Sequence, residues 1–138
     1  MTGDNLTELA QHYAEAWCSQ DPERVAAFFA QNASLKVNDA APAVGRKAIA
    51  EIAHGFVRDF PDMIVTMDDL KIGGRSSCDA AFHWTLIGTN TGPGGAGNRV
   101  RISGYELWKI DNNGLIEESK GHFDVAEYER QLKHGVDD

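Results

Sequence analysis

Apolar residues follow helical spacing in the first half of the chain and strand spacing in the second. Leu6, Leu9, Ala10, Tyr13, Ala14 and Trp17 fall at i, i+3, i+4, i+7, i+8 and i+11, one stripe of a helix. Asp21 followed by Pro22 starts a second helix, because Asp caps and Pro fits the first helical position. Val25, Phe28 and Phe29 would be its buried face. Residues 33–38 read as a short strand that runs into an irregular stretch over 39–45. A third helix carries Ile49, Ile52, Ala53, Phe56 and Phe60 on one face and stops at Pro61.

Strands dominate from there. Residues 63–72 are rich in Ile, Val, Met and Thr and end at Gly73-Gly74. Residues 80–88 alternate, with Phe82, Trp84 and Leu86 in one phase and His83, Thr85 and Ile87 in the other. A strand over 100–110 leads into Asp111-Asn112-Asn113-Gly114, a strong hairpin turn. A last strand over 115–123 meets a closing helix capped by Asp124, with Leu132 buried. Runs of helices followed by runs of strands predict an α+β fold. A bent, mostly antiparallel sheet would wrap three N-terminal helices and leave a conical pocket. There is no repeat and no linker, so residues 1–138 make a single domain. The sheet's outer face needs a cover, and the expected cover is a second copy, giving a homodimer.

Charge narrows the possible partners. Thirteen basic and twenty-one acidic side chains give a net charge of −8, which argues against nucleic acid and anionic membrane. No apolar run approaches the length of about 20 that spans a bilayer. The start has neither a basic nor an apolar leader segment, so a cytoplasmic protein is expected. Cys18 and Cys78 are the two cysteines, and no histidines have metal-site spacing. The glycine-rich stretch 92–97 lacks a Gly-Lys-Ser/Thr ending and does not open a helix, so it reads as a hairpin connection. No metal and no cofactor are expected.

Within that frame a few residues can carry chemistry. Glu106 shares an alternating phase with Val100, Ile102, Gly104, Trp108 and Ile110, which should face the interior. A carboxyl in such a row must be paired or protonated, so its pKa should rise. Tyr13 and Trp17 lie one turn apart on the first helix and Glu106 and Trp108 two apart on a strand. These four are expected to line one apolar cavity, with Asp39 and Asp124 near its mouth. The hydroxyl of a buried Tyr13 needs a partner. Asp124 could cap a helix, and Asp39 could be a solvated loop residue. His122 could supply a base near neutral pH.

Four segments, Phe60-Pro61-Asp62, residues 87–92, residues 104–108 and the ending Phe123-Asp124 with Gln131-Leu132, resemble the SnoaL-like polyketide cyclases. The resemblance spans roughly residues 6–135 and implies the cone-shaped nuclear transport factor 2-like (cystatin-like) fold, shared with ketosteroid isomerase and limonene-epoxide hydrolase. It implies that Asp124, opening the last helix, is a general acid/base. It also places Ser119-Lys120 where cyclases have a His-Trp pair, and Asn90 where His is common. Similarity to ketosteroid isomerases implies roles for Tyr13 and Glu106 as oxyanion donors and for Asp39 as the base. Trp17, Trp108, His122, Phe123 and Asn90 are then the expected substrate contacts.

The function expected from this reading is a cofactor-independent enzyme of cyclase or isomerase type. It would act on a small apolar carbonyl compound, polyketide- or steroid-like, by proton abstraction and return. Epoxide hydrolysis is less favoured, because residues 80–87 contain neither Arg nor Asp for the Arg-x-Asp pair of those hydrolases. A non-catalytic binding or dimerisation module is the rival of a different class.

Overall fold

A computed structural model describes residues 3–73 and 79–136 of the chain; Gly74 and Cys78 lie outside them. The elements run α1 (Gly3–Cys18), α2 (Pro22–Ala26), β1 (Phe29–Val37), β2 (Ala43–Val44), α3 (Arg46–Asp59), β3 (Ile64–Ile72), β4 (Ala80–Thr89), β5 (Arg99–Ile110), β6 (Ile116–Phe123) and α4 (Val125–His134). The six strands form one sheet in the order β2-β1-β6-β5-β4-β3. Every neighbouring pair is antiparallel except β1 with β6, which is parallel. This is the α+β architecture that the apolar periodicity predicts.

Two local expectations are corrected. The second helix ends at Ala26, and Phe29 opens a strand instead of continuing a helical face. A helix of five residues gains little on its own. The sheet offers Phe28 and Phe29 a better arrangement, since Ile116 N–H donates to Phe28 O and Phe29 pairs with Ile116. The stretch read as irregular contains β2, whose Ala43 and Val44 pair with Leu35 and Ser34.

Side-chain hydrogen bonds fasten the corners. Asp62 accepts from Thr89 N and Thr89 Oγ1, both at 2.7 Å, so the α3–β3 turn is tied to the end of β4. Phe60 is fully buried there and lies over Gly88, where a Cβ would come within 3.0 Å of the Phe60 Cβ. At Gly92 a Cβ would stand 2.1 Å from Arg58 O. These glycines are therefore required by close approach. At the other end, Gln131 reaches from α4 to accept from Arg101 N at 2.7 Å, and Asn98 donates to Leu132 O at 2.9 Å. Cys18 Sγ donates to Val65 O and accepts from Val65 N, closing part of the free edge of β3 against α1.

The core lies between α1, α3 and the concave face of the sheet. Tyr13, Phe29, Phe60, Met63, Phe82 and Trp108 are its large, fully buried members. Trp108 stacks on Phe82 with centroids 5.0 Å apart and planes at 12°, and Tyr13 meets both rings edge-on at 5.2 and 5.4 Å. The opposite phase puts His83, Tyr105 and His122 side by side on the convex face, with centroids 5.6 and 5.1 Å apart. No described helix is long and apolar enough to cross a membrane.

Candidate active site

Between the helices and the concave face lies an apolar cavity of about 60 Å³. Trp17 of α1 and Phe56 of α3 form its helical wall. Leu35, Phe82, Trp84 and Phe123 are among the strand residues that line it. Glu106, on β5, is the one ionisable side chain among the described residues lining it. Strand alternation brings it there: Gly104, Glu106 and Trp108 share the inner face, opposite Phe123, Gly121 and Ser119 of β6.

Three donors converge on one oxygen of that carboxyl. Ser119 Oγ donates to Glu106 Oε1 at 2.7 Å, Tyr13 Oη at 3.0 Å and Trp108 Nε1 at 3.1 Å. Among the described residues, Oε2 has a single long approach, from the same Tyr13 hydroxyl at 3.3 Å. Burial raises the Glu106 pKa, and the bonds from Ser119, Trp108 and Tyr13 oppose the rise without cancelling it. With Oε1 saturated by donors, an acid proton on Glu106 resides on Oε2. Burial and the neighbouring carboxylate hold the Tyr13 hydroxyl well above its ordinary pKa, so it stays a neutral donor.

The structure divides the candidate residues into three groups. Trp17, Glu106 and Phe123 line the cavity. Tyr13 and Trp108 do not; they are fully buried behind Glu106, each with its polar hydrogen directed at that carboxyl. The cavity shared by four side chains is thus lined by two of them. Tyr13 has one O–H, and Glu106 takes it, so a substrate oxygen would have to displace that bond.

Asp39, His122 and Asp124 form the third group. They border a shallow depression beyond Phe123, together with Ser103, Tyr105 and Val125. Asp124 caps α4, its Oδ1 accepting from Glu127 N at 3.1 Å, and is exposed. Asp39 is exposed beside Asn38, whose positive φ of 51° turns the chain and whose Oδ1 accepts from Phe123 N. Phe123 lines both spaces, so the two aspartates lie one side chain away from the cavity. Asn90 is at neither place. It is buried at the end of β4, where its carbonyl accepts from Gly97 N and its side chain packs under Gly95.

Ser119 is not among the residues that the sequence points to as a site; the resemblance places it, with Lys120, where cyclases have a His-Trp pair, yet it is fully buried and makes the shortest bond to Glu106. It stands two residues before Gly121 in the inward phase of β6, opposite Trp108. Among the described residues no cluster of three or more His, Cys, Asp or Glu could hold a metal ion.

A bent sheet around helices, with a single buried carboxyl in an apolar cavity, places the chain in a class of cone-shaped α+β proteins. The family model described as SnoaL-like polyketide cyclase matches residues 7–132, and the chain belongs to that family. Among solved structures it is similar to a hypothetical protein with a ketosteroid isomerase-like fold from Catenulispora acidiphila DSM 44928, solved with trimethylamine. The two are 15% identical, covering 96% of this chain and 95% of that one, with a TM-score of 0.77. SalBIII, an epoxide hydrolase/cyclase-like enzyme with a role in pyran ring formation in the polyether salinomycin, is 17% identical, covering 92% and 97%, with a TM-score of 0.76. A cystatin-like protein of unknown function from Methylobium petroleophilum PM1 is 20% identical, covering 91% and 79%, with a TM-score of 0.70. At these identities the likeness is one of fold. Among curated proteins, none matches the sequence.

Proposed function

We propose that this chain is a cofactor-independent acid–base enzyme of cyclase or isomerase type, acting on a small apolar carbonyl compound through Glu106. One observation carries the reading. A lone carboxyl borders an apolar cavity with one oxygen held by three donors and the other met, among the described residues, by one long approach from Tyr13. In the proposed step, Glu106 Oε2 takes a proton from carbon α to the carbonyl. The electron pair of that C–H bond moves onto the carbonyl oxygen as an enolate. The protonated Glu106 then returns the proton to carbon, on the same atom or at a conjugated position, and no oxidant or reductant is consumed. A carboxylate whose pKa is raised toward neutrality is a stronger base for this transfer than an exposed one. Asp124 and Asp39 have no assigned part in this step, because the first is engaged as a helix cap and both lie beyond Phe123.

The test is exchange of α-hydrogen for deuterium in cyclohexanone, a compact apolar ketone, followed by proton NMR in D2O. The wild-type protein should accelerate exchange above buffer, and Glu106→Gln should return it to the buffer rate. Gln keeps a carbonyl oxygen for the three donors, so the fold should survive. Absence of exchange above buffer with cyclohexanone and with the smaller cyclopentanone would overturn the reading and leave a binding module.

A further inference from the structure

The cavity that Glu106 borders is small for the sheet and helices that enclose it. It measures about 60 Å³, whereas an apolar cavity that takes up benzene measures about 150 Å³. A water-sized occupant needs about 10–15 Å³, so the space holds about four to six non-hydrogen atoms. Aromatic rings fill the remainder. On the helical side Trp17 meets Phe56 edge-on at 6.0 Å, and Tyr13 backs Trp17 at 6.3 Å. On the strand side Trp84 meets Phe123 edge-on at 5.9 Å. Both edge-on pairs line the cavity, one from the helices and one from the strands.

Burial gives the cavity a direction. Glu106 and Gly121 are buried, whereas Val37, Ile52, Phe56 and Phe123 are half-buried lining residues and form its outer rim. A ligand on its way to Glu106 passes that rim. Two rim side chains are rings, and they are held differently. Phe123 touches the rings of Trp84 and Tyr128, and its N–H donates to Asn38 Oδ1. Phe56 has, among the described residues, one ring contact, the edge of Trp17. It stands on α3, whose buried face is made by Ile49, Ala50 and Ala53, so the helix is anchored without it.

We infer that Phe56 is the specificity-determining residue of this cavity and that it restricts the substrate to a ketone with a narrow head. That head is one small ring or an open chain, and fused rings are excluded. The inference rests on the cavity being the site of the reaction proposed above and adds an upper limit on what enters it. The fused rings of a polyketide- or steroid-like molecule exceed that limit. Protein interiors are close-packed, so a second ring would have to push Phe56 and Trp17 out of their packed positions, at a cost like that of overpacking a core. The limit also runs against the ordinary trend. In an apolar site of unrestricted size each added methylene tightens binding roughly fourfold, so the larger ketone would bind better.

The test compares cyclopentanone with 2-tetralone, a ketone of two fused rings. Binding is followed through the backbone amide signals of Glu106 and Gly121 in nitrogen–proton spectra. Wild-type protein should bind cyclopentanone roughly tenfold tighter than 2-tetralone or better. Phe56→Ala vacates the space of a phenyl ring beside the cavity. It should bind 2-tetralone roughly tenfold tighter than wild type does and leave cyclopentanone within about threefold. Phe56→Leu, which keeps α3 apolar at that position, should show the same gain at reduced size. Tighter binding of 2-tetralone than of cyclopentanone by wild type, with both amides shifted, would overturn the inference without requiring any variant to fold. Folded Phe56 variants that gain nothing for 2-tetralone would overturn it as well. Binding in the expected order without α-hydrogen exchange keeps Phe56 as the selector of a binding module and removes the reaction. Exchange of cyclopentanone with 2-tetralone bound tighter keeps the reaction and removes this inference. Binding of neither ketone removes both.

Discussion

Two hydrogen-bonded carboxylates in this chain are driven in opposite directions. Glu106 receives bonds from Ser119, Tyr13 and Trp108, yet its pKa is raised because burial outweighs them. Asp62 receives two, from the Thr89 amide and hydroxyl, and its pKa is lowered because it sits at the surface where those bonds dominate. Counting donors does not therefore tell a reactive carboxyl from a structural one; the medium around it decides. The two regions also divide the labour of the fold. The Asp62 corner holds α3, β3 and β4 in place, and the Glu106 face borders the apolar cavity inside that frame. The segments Phe60-Pro61-Asp62 and Gly88–Gly92, which mark the family in the sequence, belong to the frame.

The largest effect that would sharpen this contrast is chemical. Glu106→Gln should lower ketone exchange by about 10²–10⁴-fold, the usual range for losing a general base. Asp62→Asn should leave the rate per folded molecule unchanged. The pH dependences should run oppositely as well. A carboxyl raised in the folded state contributes stability that is fully present below its ordinary value of 4.5 and is lost as pH rises through the higher folded value. Thermal melts from pH 4 to 8 should therefore show Glu106→Gln gaining on wild type as pH increases. Asp62, lowered from 3.8, contributes stability present above that value and lost as pH falls through the lower one. Asp62→Asn should converge on wild type in acid.

Next in size are the donors behind Glu106. Ser119→Ala and Tyr13→Phe each remove a bond that lowers the Glu106 pKa. The acid limb of the rate–pH profile should move upward in both, and each should lose about 1–3 kcal/mol of stability in urea titration. If the limb stays in place while stability falls, those residues only pack the core.

Much of this was legible in the chain and some was not, for reasons that can be named. Period-two alternation put Glu106 and Trp108 on one inward face, and the helical stripe put Tyr13 and Trp17 on another, so the carboxyl's burial followed from spacing. Depth along the stripe did not follow. Tyr13 is one turn from Trp17, and that turn separates a wall residue from one sealed behind Glu106. Ser119 escaped because its meaning lies in register: it stands opposite Trp108 only once β5 and β6 pair, across an irregularity between Lys109 and Ile110. The start of β1 escaped because two aromatics after a short helix fit either state, and long-range pairing with Ile116 chose the strand.

A smaller effect concerns the frame alone. Asp62→Ala removes both bonds to Thr89 and should cost about 1 kcal/mol, discounted from the usual value of charged hydrogen bonds because the corner is exposed. Chemical denaturation measures it directly. A loss several times larger would mean that the corner governs how α3 closes on the cavity, and the separation between frame and site would fail.

The smallest expected effect tests the comparison at its weakest point, Asp124. Resemblance to the cyclases implies an acid/base there, whereas the structure has its Oδ1 accepting from Glu127 N at the start of α4. The two roles separate by substitution. Asn caps a helix about as well as Asp, so Asp124→Asn should change stability by less than about 0.5 kcal/mol, and Asp124→Ala should lose about 1 kcal/mol. If Glu106 is the base, neither change should alter ketone exchange per folded molecule, because Phe123 stands between Asp124 and the cavity. A hundredfold fall in exchange with Asp124→Asn at unchanged melting temperature would move the base to α4. Phe123 would then be a side chain that swings aside to join the depression to the cavity, and Glu106 would take the part of the fixed hydrogen-bonding wall.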